Sequence, residues 1–132
     1  MQVRLDLELG KVLQAAEAAG EKAFRRAGAY LRKTARNSIG KKSGASTPGT
    51  PPHDHRGFRR TFAFYADRFG VIVGPMAKRL RWLAALHEFG GTAKVKNRKN
   101  EVVVARYPAR PTMGPALEKS RAGILKMWKN IV

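Results

Sequence analysis

The sequence contains no cysteine, which excludes disulfides, thiolate zinc sites and cysteine nucleophiles. Carboxylates are scarce as well: nine Asp and Glu stand against 27 Lys and Arg, for a formal net charge of +18. Those nine and three histidines are all that remain for acid–base or metal chemistry, a thin supply that disfavours an enzyme and implies no cofactor. No stretch approaches the roughly 18 consecutive apolar residues that cross a bilayer. The opening Met1-Gln2-Val3-Arg4-Leu5-Asp6 also lacks the basic-then-apolar order of a secretory signal. These absences predict a soluble chain made in the cytoplasm, with no membrane partner.

What is present is apolar enough to fold. Of the 132 residues 43% are hydrophobic, too many for a disordered basic tail, and the length suits one domain. The excess of positive charge then calls for an acidic neighbour.

Along the chain, Val3, Leu5, Leu7 and Leu9 alternate with Arg4, Asp6 and Glu8, the period of a half-buried strand. From Lys11 the period changes to that of a helix. Leu13, Ala16, Gly20, Ala23, Phe24, Ala27, Leu31, Thr34 and Ser38 share one stripe, and the small residues on it allow a close neighbour. Gly40 to His55 is rich in Gly and Pro without periodicity, which predicts a long exposed loop, extended to residue 57 and mobile in the isolated subunit. Phe58–Phe64 and Phe69–Val73 read as a hairpin turning at Asp67-Arg68. Arg79–Phe89 reads as a short helix closed by Gly90-Gly91. Thr92–Lys96 and Glu101–Tyr107 flank a basic tip in a second hairpin, 92–107, and Pro115 opens a last helix with apolar Leu117, Ile124, Met127, Trp128 and Ile131. The order is β, α, loop, β, β, α, β, β, α. It predicts an α+β domain over 1–132, with an antiparallel sheet of four to five strands and both long helices on one face.

Catalytic constellations are weak. His53, Asp54, His55 and Glu88 could be read as a metal-dependent nuclease site, but no helix or strand periodicity makes the loop histidines converge. His87, near a helix C-terminus, suits a packing residue or a cap whose cation or hydrogen bond meets the last carbonyls. Ser38, Ser43, Ser46 and Ser120 lie in no nucleophile elbow.

Charge is the stronger signal. Arg25 to Lys42 holds seven cations and no acid, Lys94 to Lys99 holds four, and Arg56, Arg59, Arg60, Lys78, Arg79 and Arg81 lie between. Phe62, Phe64 and Tyr65 could stack on bases if the partner is nucleic acid, although they suit a core equally. No sequence-reading motif accompanies them. A small, basic, nonspecific nucleic-acid-binding protein is therefore one reading.

Two segments carry a more specific signal. Pro48-Gly49-Thr50-Pro51-Pro52-His53-Asp54-His55-Arg56-Gly57-Phe58-Arg59-Arg60-Thr61-Phe62 resembles the loop and strand start of tailed-bacteriophage neck and tail-completion proteins. Ala85-Leu86-His87-Glu88-Phe89-Gly90-Gly91-Thr92, followed by Tyr107-Pro108-Ala109-Arg110-Pro111-Thr112-Met113-Gly114-Pro115-Ala116-Leu117, resembles that family's "EFG" element and its "PARP" lead into the last helix. Phe58, Thr61 and Thr112 depart from the family's usual residues. The ordered set covers most of the chain.

The resemblance implies a non-enzymatic virion protein, assembled in the bacterial host cytoplasm. It would form a six-fold or twelve-fold ring in the neck, join the head connector to the tail tube, and let DNA pass. Partner contacts are then expected at Pro51, Pro52, Arg56, Arg59 and Arg60 in the loop and at Lys94, Lys96, Arg98 and Lys99 on the hairpin. Glu88, Phe89, Gly90, Gly91, Pro108, Arg110, Pro111 and Pro115 would form the structural motif.

Overall fold

A computed structural model describes residues 2–76 and 81–129, and side chains within 11–76 and 82–129. Helix α1, Gln2–Ser38, runs for 37 residues, about 55 Å at 1.5 Å per residue. It absorbs the segment Val3–Leu9, whose alternation predicts a strand; that expectation is corrected. Apart from Val3 the segment consists of Leu, Arg, Glu and Asp, and most of these favour helix. A helix satisfies the backbone groups within the segment, whereas a strand needs a neighbour to pair with.

The buried face of α1 is narrow, with Ala23, Ala27 and Ala35 at 2%, 4% and 0% exposure. Of the small residues on the predicted stripe, Ala23 and Ala27 are buried as expected and Gly20 is not approached, while Gly28, outside the stripe, is. A Cβ at Gly28 would sit 2.6 Å from Phe64 and 2.7 Å from Val71, whereas one at Gly20 meets nothing.

Residues 40–57 form no helix or strand, yet they are not a loose loop. Gly40 pairs with His53 in an isolated bridge, the Asp54 N–H donates to Gly40 O at 2.7 Å, and Ser46 and Pro52 are buried. Arg56 and Gly57 take positive φ, 53° and 74°, and reverse the chain into a single 3-10 turn, Phe58–Thr61. The strand predicted to start at Phe58 therefore starts at Phe62. The Thr61 hydroxyl donates to Phe58 O at 2.7 Å, closing that turn.

Strands β1, Phe62–Ala66, and β2, Val71–Pro75, pair antiparallel, with Phe62 opposite Pro75 and Ala66 opposite Val71. The turn lies where the sequence places it: the Asp67 carboxylate accepts the N–H groups of Phe69 and Gly70 at 2.7 and 3.1 Å. Helix α2, Arg81–Phe89, leads into β3, Gly91–Lys96, and β4, Val102–Tyr107, and helix α3 spans Met113–Met127. The predicted α2 start at Arg79, the cation Lys78 and the predicted apolar position Ile131 lie outside the described residues.

The two hairpins do not merge, and the described residues hold two two-stranded sheets rather than one of four or five strands. The first strand expected from the sequence is helical, and α2 separates the hairpins. Lys94 and Lys96 lie on one face of the second hairpin and Arg98 and Lys99 at its tip, so only its opposite face could pack under a helix without burying charge. The α+β class, the long N-terminal helix and the C-terminal helix agree with expectation. α1 packs against β1, β2 and α3.

The core is small: Ala35, Ile39, Phe58, Phe62 and Ala116, with Leu31, Ala84 and Met113 against it. Accessible surface amounts to 10091 Å², against about 6,900 Å² for a compact monomer of 14.6 kDa.

Candidate functional site

Three distant segments meet at the N-terminus of α3. Glu88, near the end of α2, spans the gap: its Oε2 accepts the N–H groups of Thr112 and Met113 at 2.8 and 3.1 Å, and its Oε1 accepts Gly114 N–H at 2.9 Å. The first N–H groups of a helix lack partners inside it, and negative charge suits that end of the dipole. The neighbouring Thr112 hydroxyl makes no cap bond, so the remote carboxylate does the capping.

The backbone beside it is stitched to both neighbours. Arg110 N–H donates to His87 O at 2.6 Å and Gly49 N–H to Ala109 O at 2.8 Å, while Arg110 Nε donates to Ser46 O at 3.0 Å. Gly90 makes this approach possible. Its φ is +70°, and a Cβ there would lie 2.9 Å from Ala109 N and 3.0 Å from Tyr107 O. Gly91, at φ +140°, begins β3. Pro115 falls in the first turn of α3 as expected, Pro108 is exposed and Pro111 half-buried. Phe89, by contrast, is 81% exposed and belongs to the surface.

The loop residues expected to meet partners divide. Arg56 and Arg60 are exposed, Pro51 is half-buried and Pro52 is buried. Arg59 is committed within the chain: its Nε donates to Arg36 O at 3.0 Å, its N–H to Asp54 Oδ1 at 2.9 Å, and its Nη2 to Asn37 Oδ1 at 3.3 Å.

His87 sits at the centre of an aromatic row. Its ring lies 5.6 Å from His55 and 5.2 Å from Phe58, which in turn lies 5.3 Å from Phe62. Burial first, then the nearby His55 and Arg110, lowers the His87 pKa from 6.5 to about 4. The ring is therefore neutral near pH 7, and its Nε2 has no hydrogen-bond partner. Of the two roles the sequence allows His87, packing fits this ring and a cationic cap does not; desolvation outweighs the attraction of the helix end.

His53, Asp54, His55 and Glu88 do not converge. His53 Nδ1 donates to Gly44 O at 3.0 Å, Asp54 accepts from Arg59, and Glu88 is spent on α3. Among the described residues no group of three or more His, Asp or Glu is placed to hold a metal ion. No helix among them is long and apolar enough to cross a membrane.

The hairpin β3–β4 is the most open element. Every residue from Lys96 to Val104 is exposed. The register sets Lys94 opposite Val104 and Lys96 opposite Val102, with Val95 opposite Val103 on the other face. Its tip is built by Asn97, whose Oδ1 accepts the N–H groups of Lys99 and Glu101 at 2.9 and 3.0 Å. Arg98 and Lys99 thus stand at the end of a rib about 20 Å long. Val102 and Val104 are 65% and 67% exposed, so the rib offers aliphatic surface between cations, and a lone two-stranded hairpin is marginal in water. The basic residues of the sequence mark its charge, and the three consecutive valines of β4, Val102–Val104, mark its aliphatic surface.

Of the aromatic stacking candidates, Phe62 is core and Phe64 lies under the Arg32 guanidinium, 5.2 Å from its ring centre. Tyr65 alone among the three is open, at 62% exposure.

Comparison with family models, with curated proteins and with solved structures finds no match to this chain.

Proposed function

We propose that this chain is a non-enzymatic structural subunit that assembles with its own copies into a closed ring. In this reading it serves as a neck or tail-completion protein of a tailed phage. The ring would join the head connector to the tail tube, with DNA passing through its lumen. The observation that carries the assembly part is the surplus of surface: 10091 Å² exposed on a chain whose compact form needs about two thirds of that. The surplus includes the β3–β4 rib, whose Val102 and Val104 are left exposed among the described residues.

The placement in the neck rests on the resemblance of the Pro48–Phe62, Ala85–Thr92 and Tyr107–Leu117 segments, and the fold gives those segments a shared purpose. Glu88, Gly90 and Arg110 lock the loop, α2 and α3 into one rigid corner from which the rib projects. Head-to-tail contacts between such wedges close into rings when the rotation per subunit closes. A phage genome carrying a stop codon in this gene should accumulate filled heads and finished tails that do not join. Normal infectious particles from that genome would remove the assignment.

The charge of +18 favours a second reading, nonspecific binding of nucleic acid. In that case duplex binding by the isolated chain falls steeply with salt, with a slope set by the number of phosphates neutralised.

A further inference from the structure

Charge along α1 is strongly polarised. Residues 2–21 hold Asp6, Glu8, Glu17 and Glu21, four of the chain's nine carboxylates, against Arg4 and Lys11. From Lys22 to Ser38 the same helix holds six cations and no acid. Within the acidic half the described side chains of residues 11–15 are all exposed, with Val12 at 56% and Leu13 at 57%. Leu5, Leu9 and Leu13 recur at spacings of four in the sequence, the spacing by which a helix presents anchors to a groove.

The body of the molecule carries such a groove. A cavity of about 460 Å³ opens between α1, β2 and α3, lined among others by Phe24, Leu31, Val73, Leu117, Ile124 and Trp128. Its lining is apolar and, among the described residues, uncovered: Leu117 is 46% exposed and Phe24, Ile124 and Trp128 are half-buried. The two helices that wall it are basic. α1 contributes its cationic half, and from Met113 to Lys129 there are Lys119, Arg121, Lys126 and Lys129 against Glu118 alone.

We propose that this groove receives the acidic N-terminal limb of α1 from a second copy of the chain. Pairing limb with limb would bring carboxylates against carboxylates and leave the groove bare. Limb in groove buries aliphatic side chains on both sides and sets acid against base, which offsets the repulsion between bodies that are otherwise strongly positive. Because limb and groove are different surfaces of one chain, each copy that docks offers a new limb and a new groove. The proposal rests on self-assembly, as the neck reading does, but not on placement in a virion.

The test uses two full-length variants. Val12→Glu with Leu13→Glu spoils the limb and keeps the groove; Leu117→Glu spoils the groove and keeps the limb. All three positions are exposed, so circular dichroism should match the wild type. Light scattering after gel filtration should show the wild type associating as concentration rises, each variant remaining monomeric, and their equimolar mixture stopping at a heterodimer. A synthetic peptide of residues 2–21 provides a second readout. Added to the limb variant carrying Trp82→Phe, so that Trp128 is the only tryptophan, it should shift Trp128 emission saturably. The same peptide should bind the Leu117→Glu chain at least tenfold more weakly.

Variants that associate as the wild type does, or a peptide that leaves Trp128 unchanged, overturn the limb-in-groove contact. Either result leaves the neck assignment standing if rings still appear in particles. Conversely, a chain absent from particles would remove the neck assignment and leave a positive peptide titration intact.

Discussion

Arg36 and Arg59 exchange hydrogen bonds: Arg36 Nε donates to Arg59 O at 3.1 Å, and Arg59 Nε donates to Arg36 O at 3.0 Å. Two like charges are held side by side, each guanidinium bonded to the other residue's carbonyl; Arg36 O also accepts the Ile39 N–H at 3.2 Å. One of these carbonyls belongs to the last turn of α1 and the other to the 3-10 turn before β1. The pair therefore fixes where the first hairpin leaves the helix. Its positive charge suits the C-terminal end of α1.

This arrangement separates the arginines of the loop by role. Arg59→Lys keeps the charge but loses the Nε donor, and should lower stability by about 1–2 kcal/mol. Arg60→Lys, at an exposed position, should change it by less than about 0.5 kcal/mol. Urea unfolding of the two variants checks the contrast; equal losses would return Arg59 to the surface.

Glu88 should behave as a cap rather than as an acid. Glu88→Ala strands three N–H groups at the head of α3 and should cost about 2 kcal/mol, or roughly 7 °C in melting temperature for a chain of this size. Glu88→Gln keeps acceptor capacity at one oxygen and should fall between. A Glu88→Ala chain that melts with the wild type would show that the corner is held by other bonds.

The neutral His87 makes stability depend on acid. Its pKa in the fold is about 4 and returns to about 6.5 on unfolding. Between those values the unfolded chain binds a proton that the folded chain refuses. The His87 contribution is thus complete above about pH 6.5 and is lost as pH falls toward 4. Across from it stand His55 and Arg110, both of which oppose its protonation. Unfolding of the wild type and of His87→Phe should give free-energy differences that diverge between pH 7 and pH 4.5. Parallel curves would show that His87 does not titrate as described.

Much of this corner is legible in the sequence, because helix periodicity, Gly90-Gly91 and the prolines are local signals. Gly90 announces its positive φ by being glycine. What local pattern cannot supply is the partner of each group. Nothing near Glu88 in the chain says that its carboxylate bonds residues 112–114, and nothing near Arg59 points to Arg36. The N-terminal segment failed for a related reason: period two is compatible with a strand only where another strand is available. The loop 40–57 looks unstructured because its order comes from single bonds to distant carbonyls rather than from a repeating ladder.

Charge reversal on the rib tests its role in docking. Lys94, Lys96, Arg98 and Lys99 all changed to Glu should leave the fold intact, since the four positions are exposed. If the rib meets acidic patches of an adjacent ring, the variant creates repulsion there and heads and tails remain unjoined. If the rib serves only DNA, joining proceeds and salt-sensitive duplex affinity alone declines. The first outcome is expected.

The most direct measurement is electron cryomicroscopy of particles assembled from a phage genome that encodes this chain. The expected result is a closed ring of identical copies at the junction of head and tail, six or twelve in number. The α1 limb and the β3–β4 rib should face neighbouring subunits or rings, and the DNA path should run through the centre. A chain found as a lone copy, placed elsewhere in the particle, or absent from it would contradict the assignment.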